Sequence, residues 1–247
     1  MQPHVETAGS RDAPPIVFVH GAGGSAATWF MQLRGLSREF RVHAIELNGH
    51  GRTVDRKDRD TRRSYLEDIH SVVSTLDRPV LAGHSMGGAL TQLYALLHPD
   101  QLKGIALIGT GARLRVAPII FDMLSDDFDS YVKAVGSYMF DHSTDPRLIE
   151  ATKVEVRKCP IDVITRDFQL CNEFDVMAEV AFIRNRTLII VGESDQMTPV
   201  KYSEYLRQQI PNSELHVVPH AGHSVMLEQY KTVNGIISQW VASLPRD

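Results

Sequence analysis

Hydrophobic positions along the chain fall into two recurring patterns. Short apolar runs of strand length, at Ile16 to Val19, Val42 to Leu47, Val80 to Ala82, Gly104 to Ile108, Thr187 to Val191 and Leu215 to Val218, alternate with longer stretches of helical period. Between Ser64 and Leu76, for example, Leu66, Ile69, Val73 and Leu76 share one face, and Ser64 with Glu67 reads as a capping box. Strand and helix in alternation predict an α/β fold with a mainly parallel, doubly wound sheet covered on both faces. Binding sites in such sheets gather at the carboxyl ends of the strands. The alternation breaks between about Arg113 and Arg184. That stretch reads helical, with Ile119-Ile120-Phe121-Asp122-Met123-Leu124, Tyr131 to Val135 and Tyr138-Met139-Phe140 as its apolar runs. It does not fit a βα repeat, so the predicted organisation is a core of 1–112 and 185–247 with a helical cap inserted over 113–184.

Length and composition narrow this picture. The 247 residues suffice for one large α/β domain with an insertion. With 26 basic against 30 acidic residues, the chain lacks the bulk charge that grips a polyanion, so no nucleic-acid partner is expected. The first ten residues contain neither a basic n-region nor an apolar h-region, and no window approaches the roughly 18 apolar residues of a membrane span. The expectation is a cytoplasmic monomer or homodimer without a membrane span. Cys159 and Cys171 are too few for a disulfide framework and lie in no metal-ligand or redox spacing, so they read as reduced thiols.

The chemistry is carried by three strand ends. Val80-Leu81-Ala82-Gly83-His84-Ser85-Met86-Gly87-Gly88 places Gly-x-Ser-x-Gly directly after an apolar strand and before a helical pattern. A chain that reverses from strand to helix within a few residues strains the backbone at the serine, and glycines on either side leave room for the reversal. Ser85 is therefore the candidate nucleophile, with His84 beside it as a structural residue. The loop His20-Gly21-Ala22-Gly23-Gly24 follows an earlier strand, and its spacing fits neither a P-loop nor a dinucleotide fingerprint. It reads as one half of an oxyanion hole, with the N–H groups of Ala22 and Met86 as donors and His20 pinning the loop.

A serine hydroxyl needs a base, and the base needs an orienting carboxylate. Leu188 to Val191 runs into Gly192-Glu193-Ser194-Asp195, where Asp195 lies further past the strand end than Glu193 and is the preferred acid. The last strand leads to Pro219-His220-Ala221-Gly222-His223, where His223 is the preferred base and His220 reads as structural. His216, His220 and His223 do not read as a metal site, since they lie on a strand and a turn with no supporting acid. No metal and no cofactor is expected. The order along the chain is serine, aspartate, histidine.

With these residues, and with Leu47-Asn48-Gly49-His50-Gly51-Arg52-Thr53 and Ala221-Gly222-His223, the sequence resembles the α/β-hydrolase superfamily, in particular its small cofactor-free carboxylesterases with a helical cap. The resemblance covers nearly the whole chain and thins in the cap. It implies hydrolysis of short to medium acyl esters, with a pocket to which His20, Gly21, Phe121, Met123, Leu124, Met139 and Met197 are candidate contributors. Ile119, Ile120, Tyr138 and Phe140 are further apolar cap residues. The serine at the elbow argues against relatives that use aspartate there to open epoxides or carbon–halogen bonds. A rival reading is an acyl-CoA thioesterase, with Arg113 and Arg115 as a possible anion rim meeting CoA phosphates. A third is a slow-turnover small-molecule receptor on the same fold.

Overall fold

The computed structural model describes residues 2–245. Its strands are β1 (His4–Ala8), β2 (Pro15–Val19), β3 (Arg41–Glu46), β4 (Val80–His84), β5 (Gly104–Ile108), β6 (Thr187–Gly192) and β7 (Ser213–Val218). They form one sheet in the order β1-β3-β2-β4-β5-β6-β7. All neighbours are parallel except β1, which runs antiparallel to β3 at the edge. The apolar runs predicted six of these strands to within two residues at either end. They did not predict β1, because His-Val-Glu-Thr-Ala has the half-polar pattern of an edge strand and no continuous apolar run.

The helices are α1 (Phe30–Leu36), α2 (Thr61–Val73), α3 (Met86–Leu97), α4 (Pro118–Asp126), α5 (Phe128–Tyr138), α6 (Pro146–Val156), α7 (Ile161–Glu173), α8 (Val200–Gln209), α9 (Val225–Glu228) and α10 (Tyr230–Ser243). Alternate side chains of each central strand enter opposite layers. Val17 and Val19 pack with Leu81, Ile105 and Leu107 under α2, α3 and α8, while Ile16 and Phe18 pack with Trp29, Ala82 and Trp240 under α1 and α10. Helix α2 starts earlier than its sequence pattern suggests. Asp60 caps it, accepting the Arg63 N–H at 2.9 Å, and the Ser64 hydroxyl instead donates to Asp58. A single well-placed aspartate thus outcompetes the Ser64–Glu67 box.

Helices α4 to α7 all lie between β5 and β6 and form an insert with its own apolar cluster of Leu124, Tyr131, Val132, Val135, Cys159, Val163, Ile164 and Phe168. Tyr138-Met139-Phe140, read as a helical run, is instead the end of α5, its C-cap and the residue beyond. Ala22 packs against both this cluster and the main core, so the loop after β2 is the seam between them. Among the described residues, no helix is long and apolar enough to cross a membrane. Cys159 and Cys171 are free and buried, and burial pushes both thiols up.

Candidate active site

The turn from β4 into α3 is as tight as its glycines imply. Ser85 has φ 53° and ψ −116°, a region an L-residue occupies only under strain. A Cβ on Gly83 would collide with the Gly87 carbonyl, and one on Gly87 with the Val19 and His20 carbonyls at the end of β2. The neighbouring end of β5 holds the serine backbone: its N–H donates to the Ile108 carbonyl at 3.0 Å, and its carbonyl accepts the Thr110 hydroxyl at 2.9 Å. The result is a serine at the carboxyl end of the sheet, at the amino end of a helix and half-exposed.

The loop after β2 lies directly against this elbow. A Cβ built on Gly21 would come within 3.2 Å of Ser85 Cβ. His20 is fully buried, donates from Nδ1 to the Gly21 carbonyl at 2.8 Å and accepts the Leu47 N–H on Nε2 at 3.2 Å. Both ring nitrogens are engaged with main chain, so His20 is an interior pin of the loop and presents no surface to a substrate. Burial, then the neighbouring His50, pushes it down to about 3. Met86 is the first residue of α3, so its N–H has no intrahelical acceptor, and the Ala22 N–H makes no hydrogen bond among the described residues.

The ends of β6 and β7 bring an acid and a base together. His223 Nδ1–H donates to Asp195 Oδ2 at 2.9 Å, with both side chains at most 2% exposed. Asp195 is fixed in turn by the Met197 and Thr198 N–H groups on Oδ1, at 2.9 and 2.8 Å, and by the Thr198 hydroxyl on Oδ2 at 2.8 Å. Burial opposes ionisation of this carboxyl, but His223 and Thr198 outweigh it and hold the group below the usual carboxylate range. Glu193 is exposed and makes no such contact. His220, exposed with φ 54°, accepts Gln229 on its carbonyl and belongs to the turn. His84 links the two halves of the site: its Nε2–H donates to the His223 carbonyl at 2.9 Å and its ring lies 4.6 Å from that of His223. Burial pushes His84 down to about 3, so it stays neutral.

The insert closes on these loops through Met139 and through polar residues that sequence patterns did not single out. Ser194 donates to Asp141 at 2.6 Å, and Ser224 N–H donates to the Met139 carbonyl at 2.9 Å. Glu228 accepts the Gly222 N–H at 2.8 Å, the Asp141 N–H at 2.7 Å and the Thr144 hydroxyl at 2.6 Å. Of the apolar candidates, Leu124 is buried in the insert's own cluster, Phe121, Met123 and Met139 are half-buried against it, and Met197 is half-buried beside Asp195. Ile119 and Tyr138 are exposed. Arg113 pairs with Asp175 at 2.6 Å and Arg115 donates to the Asn172 carbonyl at 3.0 Å, so both cations are bound locally at the base of the insert. Among the described residues, no group of three or more His, Cys, Asp or Glu side chains is placed to hold a metal ion.

The model of the alpha/beta hydrolase family matches residues 16–236. A pimeloyl-[acyl-carrier protein] methyl ester esterase of Nitrosomonas europaea is 24% identical, over 91% of this chain and 93% of its own length. A putative carbamate hydrolase RutD of Caulobacter sp. is 25% identical, over 94% of this chain and 91% of its own. The solved structure of a thermophilic esterase is 32% identical, with a TM-score of 0.85 over 96% of this chain and 93% of that one.

Proposed function

Because this chain belongs to the alpha/beta hydrolase family, and its relatives include esterases and a putative carbamate hydrolase, we propose that it is a serine carboxylesterase acting on short to medium acyl esters. The observation that carries this reading is the buried His223–Asp195 pair at 2.9 Å, whose histidine ring lies 4.6 Å from that of His84, the chain neighbour of a serine with φ 53°. Asp195 fixes the histidine tautomer with the proton on Nδ1, which leaves Nε2 free to accept a proton.

In the proposed reaction, Ser85 Oγ attacks the ester carbonyl carbon as its proton passes to His223 Nε2. The negative charge that develops on the carbonyl oxygen is stabilised by the N–H groups of Ala22 and Met86, two donors without a hydrogen-bond partner among the described residues. Collapse of the tetrahedral intermediate breaks the bond to the alkoxy oxygen, which takes the proton from His223 and leaves as the alcohol. Water then repeats the sequence on the acyl-enzyme and releases the acid. Helices α4 to α7 act as a cap whose apolar face sizes the acyl pocket, with Phe121, Met123 and Met139 as its half-buried members.

The test is hydrolysis of p-nitrophenyl esters from acetyl to dodecanoyl by the wild type and Ser85→Ala. Activity that peaks at one chain length and is lost in the variant supports the reading. Turnover that persists in Ser85→Ala, or its absence at every chain length in the wild type, refutes it.

A further inference from the structure

The buried carboxylate of Asp167 lies on α7, in the middle of the insert, yet its hydrogen bonds leave the insert altogether. Oδ2 accepts the Gly23 N–H at 2.8 Å and His50 Nε2–H at 2.8 Å, and Oδ1 accepts the Tyr65 hydroxyl at 2.6 Å. Asp167 and His50 side chains are both 0% exposed. Gly23 immediately follows Ala22, the proposed oxyanion donor, and the His50 ring rests 4.6 Å from His20, which pins the same loop from below. The preceding residue, Arg166, donates to both carboxylate oxygens of Asp55 at 3.0 Å and to the Asn48 carbonyl at 2.7 Å. The loop is therefore gripped on one side by the sheet and on the other by one residue of the insert.

We propose that Asp167 is a positioning residue for the reaction: by accepting the Gly23 N–H it sets the loop so that the Ala22 amide faces the oxyanion. The inference rests on the esterase reading above. A carboxylate on that side of the loop has the wrong sign to stabilise an oxyanion through its own field. Its effect runs through the loop, whose Ala22 amide is positioned by the hold on that of Gly23, and preorganised amides act only on the charge that develops in the transition state. Burial opposes ionisation of Asp167, and His50, Tyr65 and the Gly23 N–H together hold it ionised. Removing its charge while keeping an acceptor should therefore leave catalysis intact, whereas removing the acceptor should not.

Wild type, Asp167→Ala, Asp167→Asn and Ser85→Ala are compared for kcat and KM on p-nitrophenyl butyrate and for affinity toward an alkyl boronic acid, which mimics the tetrahedral species. Losing a single oxyanion donor costs on the order of 10² to 10³ in kcat, and displacing one costs less. For Asp167→Ala we expect a roughly 10- to 100-fold fall in kcat, a KM within about threefold of wild type, and boronate affinity weakened by the same factor as kcat. Asp167→Asn should stay within about threefold of wild type in all three. If Asp167→Ala yields no folded protein, Asp167→Leu, which fills the buried volume without an acceptor, takes its place with the same expectation. A loss confined to KM or to melting temperature, with kcat and boronate affinity unchanged, makes Asp167 a structural tie and overturns the proposal. So does a fall in Asp167→Asn as large as that in the alanine variant. Full activity in Ser85→Ala would instead remove the esterase reading itself, a failure read from a different variant.

Discussion

Gly87→Ala and Gly235→Ala make the same chemical change at two helical positions, and the structure assigns them opposite outcomes. A Cβ on Gly87 would stand 2.6 Å from the His20 carbonyl oxygen and closer still to that of Val19. Real Cβ atoms essentially never approach another heavy atom below 3.0 Å, so the His20 contact alone forces the start of α3 and the end of β2 apart by about 0.4 Å, and the nearer Val19 oxygen by more. Each of these segments leads into a proposed oxyanion donor, Met86 on one side and Ala22 on the other. A misplacement of about 1 Å can cost on the order of 100-fold in rate, so a shift of 0.4 Å or more should lower kcat by roughly 10- to 100-fold. Overpacking of this kind should also destabilise the fold by about 1–3 kcal/mol. Gly235, exposed on α10, would place its Cβ in open space. There the loss of glycine's backbone freedom should stabilise by roughly 0.5–1 kcal/mol and leave kcat alone. The assay is urea unfolding of both variants alongside steady-state hydrolysis of one ester. A Gly87→Ala enzyme within twofold of wild-type kcat and equally stable would refute the claim that elbow and loop are in hard contact.

Two further predictions test the frame of the site. His20 and His84 are held near 3 by burial, against 6.5 in the unfolded chain, so between those values only the unfolded state takes up the protons. Stability should be fully present above pH 6.5 and fall as the pH drops, by roughly 2 kcal/mol per histidine at pH 5; urea midpoints that do not change between pH 7 and 5 would contradict this. Glu228→Ala strips acceptors from the Gly222 and Asp141 N–H groups and the Thr144 hydroxyl, and should cost about 3 kcal/mol in stability and lower kcat by loosening the turn that carries His223. Thermal melting and kcat measured together would check it, and a change under about 0.5 kcal/mol would show that the turn stands without this clamp.

What the sequence made legible is what local chemistry encodes. Ser85 announces itself because a strand, a glycine-flanked turn and a helix are consecutive in the chain. Asp195 and His223 are readable as strand-end residues, although their pairing is a property of adjacent β6 and β7. Thr198 had a local signal too, since it stands three residues past Asp195 and bonds back to it as turn hydroxyls do. Asp167 had none: its partners Gly23, His50 and Tyr65 lie more than 100 residues away, and on the surface of α7 an aspartate looks like any other polar position. Glu228 was hidden for a related reason, since five residues past His223 it reads as part of a helix start. Strand β1 escaped because an edge strand has one wet face.

The two ties of the insert, at Asp141 and at Asp167, bear on how such enzymes can be recombined. A chimera that exchanges residues 113–184 for the equivalent stretch of a relative inherits this protein's Ser194, Gly23, His50 and Tyr65, all donors to those two aspartate carboxylates. A donor segment lacking acceptors at both places would leave buried donors unanswered on the core side. A donor that keeps them is free to vary along α4, where Ile119, Phe121 and Met123 carry no such obligation. The graftable unit is therefore smaller than the insert: it is the stretch of α4 and α5 that precedes the first of these moorings, at Asp141.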